Sequence, residues 1–279
     1  MKPPPTLTGD SGLSLPAIGF GTYSLYGDRG THAIVEAIHL GYRLIDSAVN
    51  YENEGAVGAA IRRSGLAREE LMITSKLPGR HHHFDDALNS VQESVMRMGL
   101  ENIDLYLIHW PNPIENLYVE AWRGLIEARN RGLVHHIGVS NFLPEHLERL
   151  RVETGELPAI NQIELHPYFP QTDLVAYHRE HGILTEAWSP LGKGSDLLTN
   201  PVITTIATEH GVTPAQSVLA WHVNNGAIPI PKSRSVERQR ENLDIFNISL
   251  THDNIERIAT LARTDGRLEN QDPAVHQEF

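Results

Sequence analysis

Short aliphatic or β-branched runs alternate with helical patterns along most of the chain of 279 residues. The runs have the length and the flanking turn residues of strands, and the segments between them carry apolar residues at helical spacing. Eight strand-helix units follow one another, and their strand runs begin near residues 13, 43, 71, 104, 134, 159, 183 and 227. In the seventh unit, Thr213 and Pro214 are predicted to be the cap and the first residue of a helix.

Eight alternations without a composition break or a long linker predict an α/β fold, a (β/α)8 TIM barrel. We expect a single domain over residues 1–279 rather than a two-domain doubly wound sheet, and the chain length is typical of a barrel. The early segment LTGDSGLSLP contains a glycine turn and predicts a β-hairpin at the barrel floor. The polar stretch after Arg263 is predicted to be loop.

Charge and composition narrow the classes of partner. The chain carries 23 Lys and Arg against 35 Asp and Glu, a net charge of −12, which argues against nucleic acid or an anionic membrane as the main partner. Zero cysteines exclude disulfides and thiolate metal sites. Neither a signal peptide nor an apolar run of about 18 residues is found. We therefore expect a cytoplasmic, monomeric protein that acts on a small molecule.

Polar residues stand where the predicted strands end. Asp46, Lys76 and His109 close three successive strand runs, and Tyr51 follows the first of them. Because active sites of TIM barrels lie at the carboxyl ends of the strands, these four residues predict one site. Later strands end on further polar or aromatic residues: Ser140, Asn141, Gln162, Glu164, Trp188, Ser189, Lys232 and Ser233.

Several segments resemble signatures of the aldo-keto reductase family. They are GYRLIDSAVNYENEGAVG, HIGVSNF, AINQIELHPY, WSPLG and IPKSRSVERQREN, in the family's order and spacing from about Leu15 to Asn242. The chain is most similar to the short, prokaryotic members that resemble 2,5-diketo-D-gluconate reductases. The resemblance implies an NADPH-dependent oxidoreductase that reduces aldehydes and ketones, keto-sugars and α-dicarbonyls among the candidates. It also implies a catalytic tetrad of Asp46, Tyr51, Lys76 and His109.

The chemistry of the four residues agrees with that implication. A tyrosine with a pKa of about 10 donates protons poorly unless its phenolate is stabilised, and a nearby ammonium does this. Lys76 would supply that charge and Asp46 would hold it, while Tyr51 and His109 would face the oxygen of a carbonyl group as hydride reaches its carbon. An ordinary salt bridge between Asp46 and Lys76, with His109 in the core, is the alternative from these residues alone.

A cluster of cations near residue 232 predicts a phosphate site. Lys232, Arg234 and Arg238 stand with Ser233 at the start of the last barrel helix, where backbone N–H groups favour anions. The segment GFGTYS lacks the third glycine of a Rossmann fingerprint, which disfavours that fold. The resemblance assigns Lys232 and Arg238 to the 2′-phosphate of NADPH, and Glu241 and Asn242 to its adenine.

The nicotinamide end of the cofactor is predicted to contact residues at three other strand ends. Trp188 offers a ring for stacking, and Ser140, Asn141 and Gln162 are predicted to bind the carboxamide. The pyrophosphate is expected at the loop after Trp188. The predicted cofactor set is completed by Gly21, Thr22, Ser189, Leu191 and Ser195.

Tyr23, His109 and Trp110, with the segment 77–83, are predicted to line the substrate site. Pro78 stands where many relatives carry tryptophan, which predicts a wider pocket there, and Glu52 replaces a common glycine. Three adjacent histidines, His81 to His83, cannot all face one metal, so a solvated or substrate-facing loop is expected. No metal site is predicted.

Two other classes of function remain open at this stage. A metal-dependent barrel hydrolase would use His109, His166, Asp46 and Glu164, although no known ligand spacing is found. A non-catalytic family member that binds NADPH is the second alternative. Measured turnover would separate it from a reductase.

Overall fold

The computed structural model describes residues 4–279. The chain opens with two short antiparallel strands, β1 (Thr6–Thr8) and β2 (Ser14–Pro16), in which Thr8 lies opposite Ser14. Leu13 and Leu15 are fully buried in a cluster with Leu44 and Leu184, the first residues of two barrel strands. The hairpin therefore covers the amino-terminal end of the barrel, which confirms the predicted hairpin at the floor.

Eight parallel strands within residues 4–279 then pair in chain order. Backbone hydrogen bonds from Gly19 N to Pro229 O (3.0 Å) and from Gly21 N to Pro231 O (3.1 Å) join the first to the last and close the ring. The (β/α)8 barrel is thus confirmed. The strands are β3 (Phe20–Gly21), β4 (Leu44–Asp46), β5 (Met72–Leu77), β6 (Ile103–Ile108), β7 (Val134–Ser140), β8 (Ile160–Glu164), β9 (Leu184–Trp188) and β10 (Ala227–Pro229).

The run LSLPAIGFG, which is the first predicted strand run and overlaps the predicted hairpin at LSLP, is divided between two structures. Its first half pairs in the hairpin, and Phe20–Gly21 alone enters the barrel. Pro16 cannot donate a ladder hydrogen bond, which fits the end of a strand at this point.

Ten α-helices of the described residues surround the barrel, and two of them follow β9. Thr213 Oγ1 accepts from Gln216 N at 3.2 Å, which confirms the predicted helix cap and Pro214 as the first helical residue. None of these helices combines the length and the apolar character that crossing a bilayer requires. The helices are α1 (Gly27–Leu40), α2 (Glu54–Ser64), α3 (Phe84–Met98), α4 (Tyr118–Asn130), α5 (Pro144–Thr154), α6 (Thr172–Glu180), α7 (Pro201–His210), α8 (Pro214–Asn224), α9 (Val236–Leu243) and α10 (His252–Ala259).

The two faces of each strand serve different parts of the core, as the two-residue period requires. On β6, Tyr106 and Ile108 belong to the large apolar cluster shared with the helices, whereas Leu105 and Leu107 belong to the cluster inside the barrel floor. Each fully buried aliphatic side chain contributes about 1.5–3 kcal/mol. Aliphatic packing therefore fills the floor, and the carboxyl ends of β3–β10, here called the mouth, carry the polar residues.

The stretch after Arg263 contains turns and irregular backbone but neither strand nor α-helix, as expected. Its last part, residues 273–279, is here called the tail segment. Glu278 in this segment contacts residues that follow β4, β5 and β6 at the mouth. No motif or periodicity in the sequence indicates this position.

Candidate active site

Asp46, Lys76 and Tyr51 meet inside the mouth. Asp46 ends β4, Lys76 is the penultimate residue of β5, and Tyr51 closes a 3-10 turn over Val49–Tyr51. The Lys76 ammonium lies 2.7 Å from Asp46 Oδ1, 2.8 Å from the Ser47 carbonyl oxygen and 3.5 Å from Tyr51 Oη. Each of its three N–H groups thus has one acceptor.

Burial and charge set the protonation of this group. Burial raises the pKa of Tyr51 above its ordinary value, and this effect outweighs the opposing effect of the Lys76 ammonium. Burial by itself would lower the pKa of Lys76, but the Asp46 carboxylate and then the negative charge of Tyr51 in its ionised form raise it above its ordinary value. The free protein therefore holds a protonated tyrosine beside a charged lysine, and Lys76 acts on Tyr51 in the predicted direction.

His109 follows β6 and stands beside this group. Its ring lies edge-on to the ring of Tyr51, with 5.8 Å between centroids. The backbone on both sides is fixed, since His109 N donates to the Leu77 carbonyl and Asn141 Nδ2 donates to the His109 carbonyl, both at 3.0 Å. All four residues of the predicted tetrad are brought together.

The tail segment places a carboxylate against His109. Glu278 Oε1 lies 2.7 Å from His109 Nδ1, although the ring N–H direction is not aligned with this contact. Asn50 Nδ2 donates to Oε1 at 2.8 Å, and Gly79 N donates to Oε2 at 3.1 Å. Burial raises the pKa of Glu278, but His109, Asn50 and the Gly79 N–H outweigh it and hold this pKa below its ordinary value. Glu278 is a charged wall of the site.

The surrounding chain is built to hold the tail segment. Asn112 adopts a left-handed backbone with φ of 46°. Its side chain accepts from Glu278 N at 3.0 Å and donates to the Glu278 carbonyl oxygen at 2.7 Å. A methyl group on Gly79 would overlap that carbonyl oxygen. Glycine at position 79 therefore permits the close approach.

Gln162 connects Asp46 to a second buried acid. Its Nε2 donates to Asp46 Oδ2 at 2.9 Å and to Glu186 Oε2 at 2.6 Å. Glu186 lies on β9, is fully buried and was missed by sequence reasoning. The available signal was a charged residue inside the strand-like run ILTEAW.

Ser140 and Asn141, predicted to bind a carboxamide, contact protein groups in this structure. Asn141 Oδ1 accepts from Trp188 Nε1 at 2.8 Å, and Asn141 Nδ2 donates to Ser140 Oγ at 3.0 Å. Ser140 Oγ donates to the Gln162 carbonyl at 2.8 Å. These bonds fix the indole at the end of β9. A direct role for Ser140 and Asn141 in cofactor binding stays a prediction.

The cation cluster lies where the chain enters α9. Arg234 donates to the Ser24 carbonyl at 2.6 Å, and within residues 4–279 neither Lys232 nor Arg238 has a carboxylate within 4 Å. Burial and then the positive charges of Arg234 and Lys193 lower the pKa of Lys232. Ser233 is buried, and its hydroxyl forms hydrogen bonds within the turn. Of the two residues predicted to contact adenine, Glu241 is exposed and Asn242 is buried. The result is an unneutralised positive surface beside a helix N-terminus, which suits a phosphate.

Comparison with known proteins decides the family. The model of the "Aldo/keto reductase family" matches residues 17–263. The chain belongs to this family.

Named relatives and solved structures extend the likeness over the whole chain. A Corynebacterium sp. (strain SHS752001) protein named 2,5-diketo-D-gluconic acid reductase B is 52% identical over 275 residues, with 99% of each chain covered. The crystal structure of a point mutant of Gox0644 in complex with NADPH has a TM-score of 0.94 at 40% identity, covering 99% of this chain and 100% of that one. A Bombyx mori aldo-keto reductase in complex with NADP has a TM-score of 0.90 at 31% identity, covering 100% and 99%.

The remaining predicted cofactor residues of this aldo-keto reductase also lie at the mouth. Thr22 Oγ1 donates to the Asp46 carbonyl at 2.8 Å, and a side chain on Gly21 would crowd Ile230. In the loop after β9, Gly192 N donates to the Ser189 carbonyl at 2.9 Å and Ser195 Oγ donates to the Gly192 carbonyl at 2.6 Å. Leu191 is half-buried in that loop.

The predicted substrate walls differ in exposure. Tyr23 is 53% exposed and meets the Tyr51 ring edge-on at 5.2 Å, whereas Trp110 is buried, with the His276 ring 4.4 Å away. Near Pro78, where a wider pocket is predicted, Gly79 N donates to Glu278 Oε2 at 3.1 Å. The width of the pocket there stays a prediction.

The three adjacent histidines need a correction. His82 is buried rather than solvated, and burial lowers its pKa to about 4, so it is neutral. His83 is the N-cap residue of α3, and a 3-10 turn covers Gly79–His81. The segment connects β5 to α3, with His81 half-buried and His83 exposed, and its contact with substrate stays a prediction.

The residues of the hydrolase alternative do not converge. His166 Nε2 contacts Glu164 Oε1 at 3.0 Å, while Asp46 is bound to Lys76. Across the part of the chain that the structure describes, no three His, Asp or Glu side chains form a group that could hold a metal ion. Nothing in the geometry favours that alternative.

Proposed function

We propose that this protein is an NADPH-dependent carbonyl reductase that converts aldehydes or ketones to alcohols with Tyr51 as the proton donor. The observation that carries the proposal is the position of the Lys76 ammonium, 3.5 Å from Tyr51 Oη and 2.7 Å from Asp46 Oδ1. A tyrosine within reach of a carboxylate-bound lysine, with a histidine beside it, suits proton donation to a developing alkoxide.

The residues present fit NADPH. Lys232 and Arg238 offer positive charge without a carboxylate partner in residues 4–279, which supports binding of a 2′-phosphate. Trp188, fixed by Asn141, offers an aromatic ring at the mouth. Relatives crystallised with NADPH and NADP support the same cofactor. When bound, NADPH supplies the hydride that the carbonyl carbon accepts.

The chain's own residues handle the proton. Tyr51 donates its hydroxyl proton to the carbonyl oxygen, and Lys76 stabilises the phenolate that this leaves. Asp46 keeps Lys76 charged in a site where Lys76 is fully buried. His109 orients the carbonyl oxygen toward Tyr51, and Glu278 limits the movement of His109.

Keto-sugars and α-dicarbonyls are the substrate classes proposed for this site. The relative named 2,5-diketo-D-gluconic acid reductase B supports the first class. The aromatic rings of Tyr23 and Trp110 support the inclusion of aromatic aldehydes. The monomeric state and cytoplasmic location predicted from the sequence belong to the same proposal, and size-exclusion chromatography and cell fractionation test them.

The test begins with the purified protein and NADPH. We expect a change in fluorescence on binding, followed by loss of NADPH absorbance on addition of members of a panel of keto-sugars, α-dicarbonyls and aldehydes. Activity should persist in the presence of a chelator. Binding without consumption of NADPH across the panel would contradict the reductase proposal and favour a non-catalytic NADPH-binding protein.

A further inference from the structure

Glu186 terminates a hydrogen-bonded chain that leads to Tyr51. From Glu186 Oε2 the chain passes to Gln162 Nε2 at 2.6 Å and on to Asp46 Oδ2 at 2.9 Å. It continues from Asp46 Oδ1 to Lys76 Nζ at 2.7 Å and ends at Tyr51 Oη, 3.5 Å from Lys76. Glu186, Asp46 and Gln162 are at most 3% exposed, so this network is shielded from bulk solvent.

The charges in this hydrogen-bonded series do not balance if both Glu186 and Asp46 are ionised. The charged groups facing Glu186 are Asp46 on β4 and Lys76 on β5, and its strand neighbours present Gln162 on β8 and Ile228 on β10. One ammonium would then face two carboxylates. Glu186 Oε1 also has no hydrogen-bond partner among the described residues. An ionised carboxylate with one bare oxygen is costly to bury, so the neutral acid is favoured.

We infer that Glu186 is a positioning residue that works in its protonated form: it holds the Gln162 amide against Asp46 and leaves Asp46 and Lys76 as a balanced pair below Tyr51. With both Gln162 N–H groups directed at the acids, Gln162 Oε1 remains the end of the amide available to a ligand. The catalytic consequence rests on the proposed function, whereas the protonation of Glu186 is testable without any ligand.

Burial, and then the Asp46 carboxylate, raise the pKa of Glu186 to about 8 against the opposing effects of Gln162 and Lys76. The folded protein therefore binds this proton more tightly than the unfolded chain does. The stability that the proton provides is complete below the ordinary glutamate pKa near 4.5, and it is lost as pH rises to about 8.

The first experiment follows thermal unfolding of the ligand-free protein between pH 5 and 9, with wild type and Glu186→Gln compared. The glutamine does not titrate, so the Tm of the variant minus that of the wild type should rise by about several degrees up to pH 8 and then level off. A difference that stays constant across this range would overturn the inference.

Glu54→Gln is the matched control. Glu54 is 2% exposed, but it pairs with Arg97 at 2.6 Å and accepts from Ser75 at 2.5 Å. Its replacement removes a carboxylate from an arginine, so the Tm should fall, and the difference from wild type should not rise between pH 5 and 8. A rise equal to that of Glu186→Gln would mean that the first result is not specific to Glu186.

The second experiment compares turnover and NADPH affinity at pH 7. Glu186→Gln keeps the hydrogen bond to Gln162 and should retain kcat within about twofold, whereas Glu186→Leu loses it and should weaken NADPH binding about tenfold. The wild type should lose kcat above pH 8, and Glu186→Gln should not. Equal losses in the two variants at pH 7 would mean that the ionised acid is required.

If the wild type showed no turnover, the proposed function would be wrong. The thermal experiment would still decide whether Glu186 is protonated.

Discussion

The tetrad at the mouth and the cation cluster before α9 differ in how their positive charges are stabilised. Lys76 is fully buried, and its ammonium is matched by Asp46, Ser47 and Tyr51. Lys232 and Arg238 are exposed and have no carboxylate within 4 Å in residues 4–279, in a chain with a net charge of −12. Buried charges must be paired when the protein folds, because no water solvates them. Exposed cations stay solvated until a ligand brings the opposite charge.

Removal of the Tyr51 hydroxyl should have the largest effect. Tyr51→Phe keeps the ring beside His109 but removes the proposed proton donor, so kcat should fall by about 10²–10⁴-fold while the Kd for NADPH changes little. Stopped-flow kinetics and fluorescence titration measure the two quantities. Tyr26→Phe, which alters an exposed hydroxyl at the start of α1, is the control. Near-normal turnover by Tyr51→Phe would mean that another group donates the proton.

Lys76→Met tests the buried charges of the tetrad and should lower the stability of the protein. Asp46 would stay buried without its cation, and the free energy of unfolding should fall by about 3–5 kcal/mol. Urea denaturation measures this. The double variant Asp46→Asn with Lys76→Met leaves no unpaired charge and should recover most of the loss. If the double variant were as unstable as the sum of both single variants, the ion pair would not be the cause.

Arg238→Ala tests the exposed cation cluster and should weaken NADPH binding without changing the fold. We expect about a ten- to hundredfold weaker Kd for NADPH, little change for NADH, and an unchanged Tm, since Arg238 makes no side-chain hydrogen bond or ion pair within the described residues. Arg240→Ala on the same helix is the matched control. Equal weakening of NADPH and NADH would argue against a 2′-phosphate at this cluster.

Glu278→Gln should have the smallest effect and tests the charged wall beside the tetrad. Removal of its charge beside His109 should raise kcat/KM for an anionic carbonyl substrate about three- to tenfold relative to its uncharged ester. The pair of 4-carboxybenzaldehyde and its methyl ester measures this ratio. Glu115→Gln, an exposed acid in the loop after β6, should leave the ratio unchanged. An unchanged ratio in Glu278→Gln would mean that substrates do not sense this charge.

The sequence predicted the barrel and the tetrad because both have local signals. Asp46 and Lys76 end apolar runs, and parallel strands bring their ends together without further information. The hairpin over LTGDSGLSLP was predicted, but the point at which LSLPAIGFG passes from the hairpin to the barrel was not, because an apolar run does not state which sheet it joins. Glu52 adopts a left-handed backbone with φ of 52°, which explains in retrospect why glycine is common there.

Glu278 and His276 could not be predicted in the same way. Glu278 contacts Gly79 across a separation of 199 residues, and the polar stretch that carries it has no periodicity. Its position depends on the side chain of Asn112 and on the missing side chain at Gly79, and neither is visible as a pattern. His82 was misjudged because three adjacent histidines suggest solvent, whereas the turn at Gly79–His81 directs one of them inward.

The position of the tail segment in the chain has a consequence for handling the protein. All strands and α-helices of the described residues lie before residue 260, so residues 273–279 follow every element of the barrel. A molecule that loses residues 273–279 to a protease keeps the contacts among Tyr51, Lys76 and Asp46 and leaves His109 without its carboxylate. Two preparations with equal helix content can therefore differ in activity, and intact mass is the property that distinguishes them.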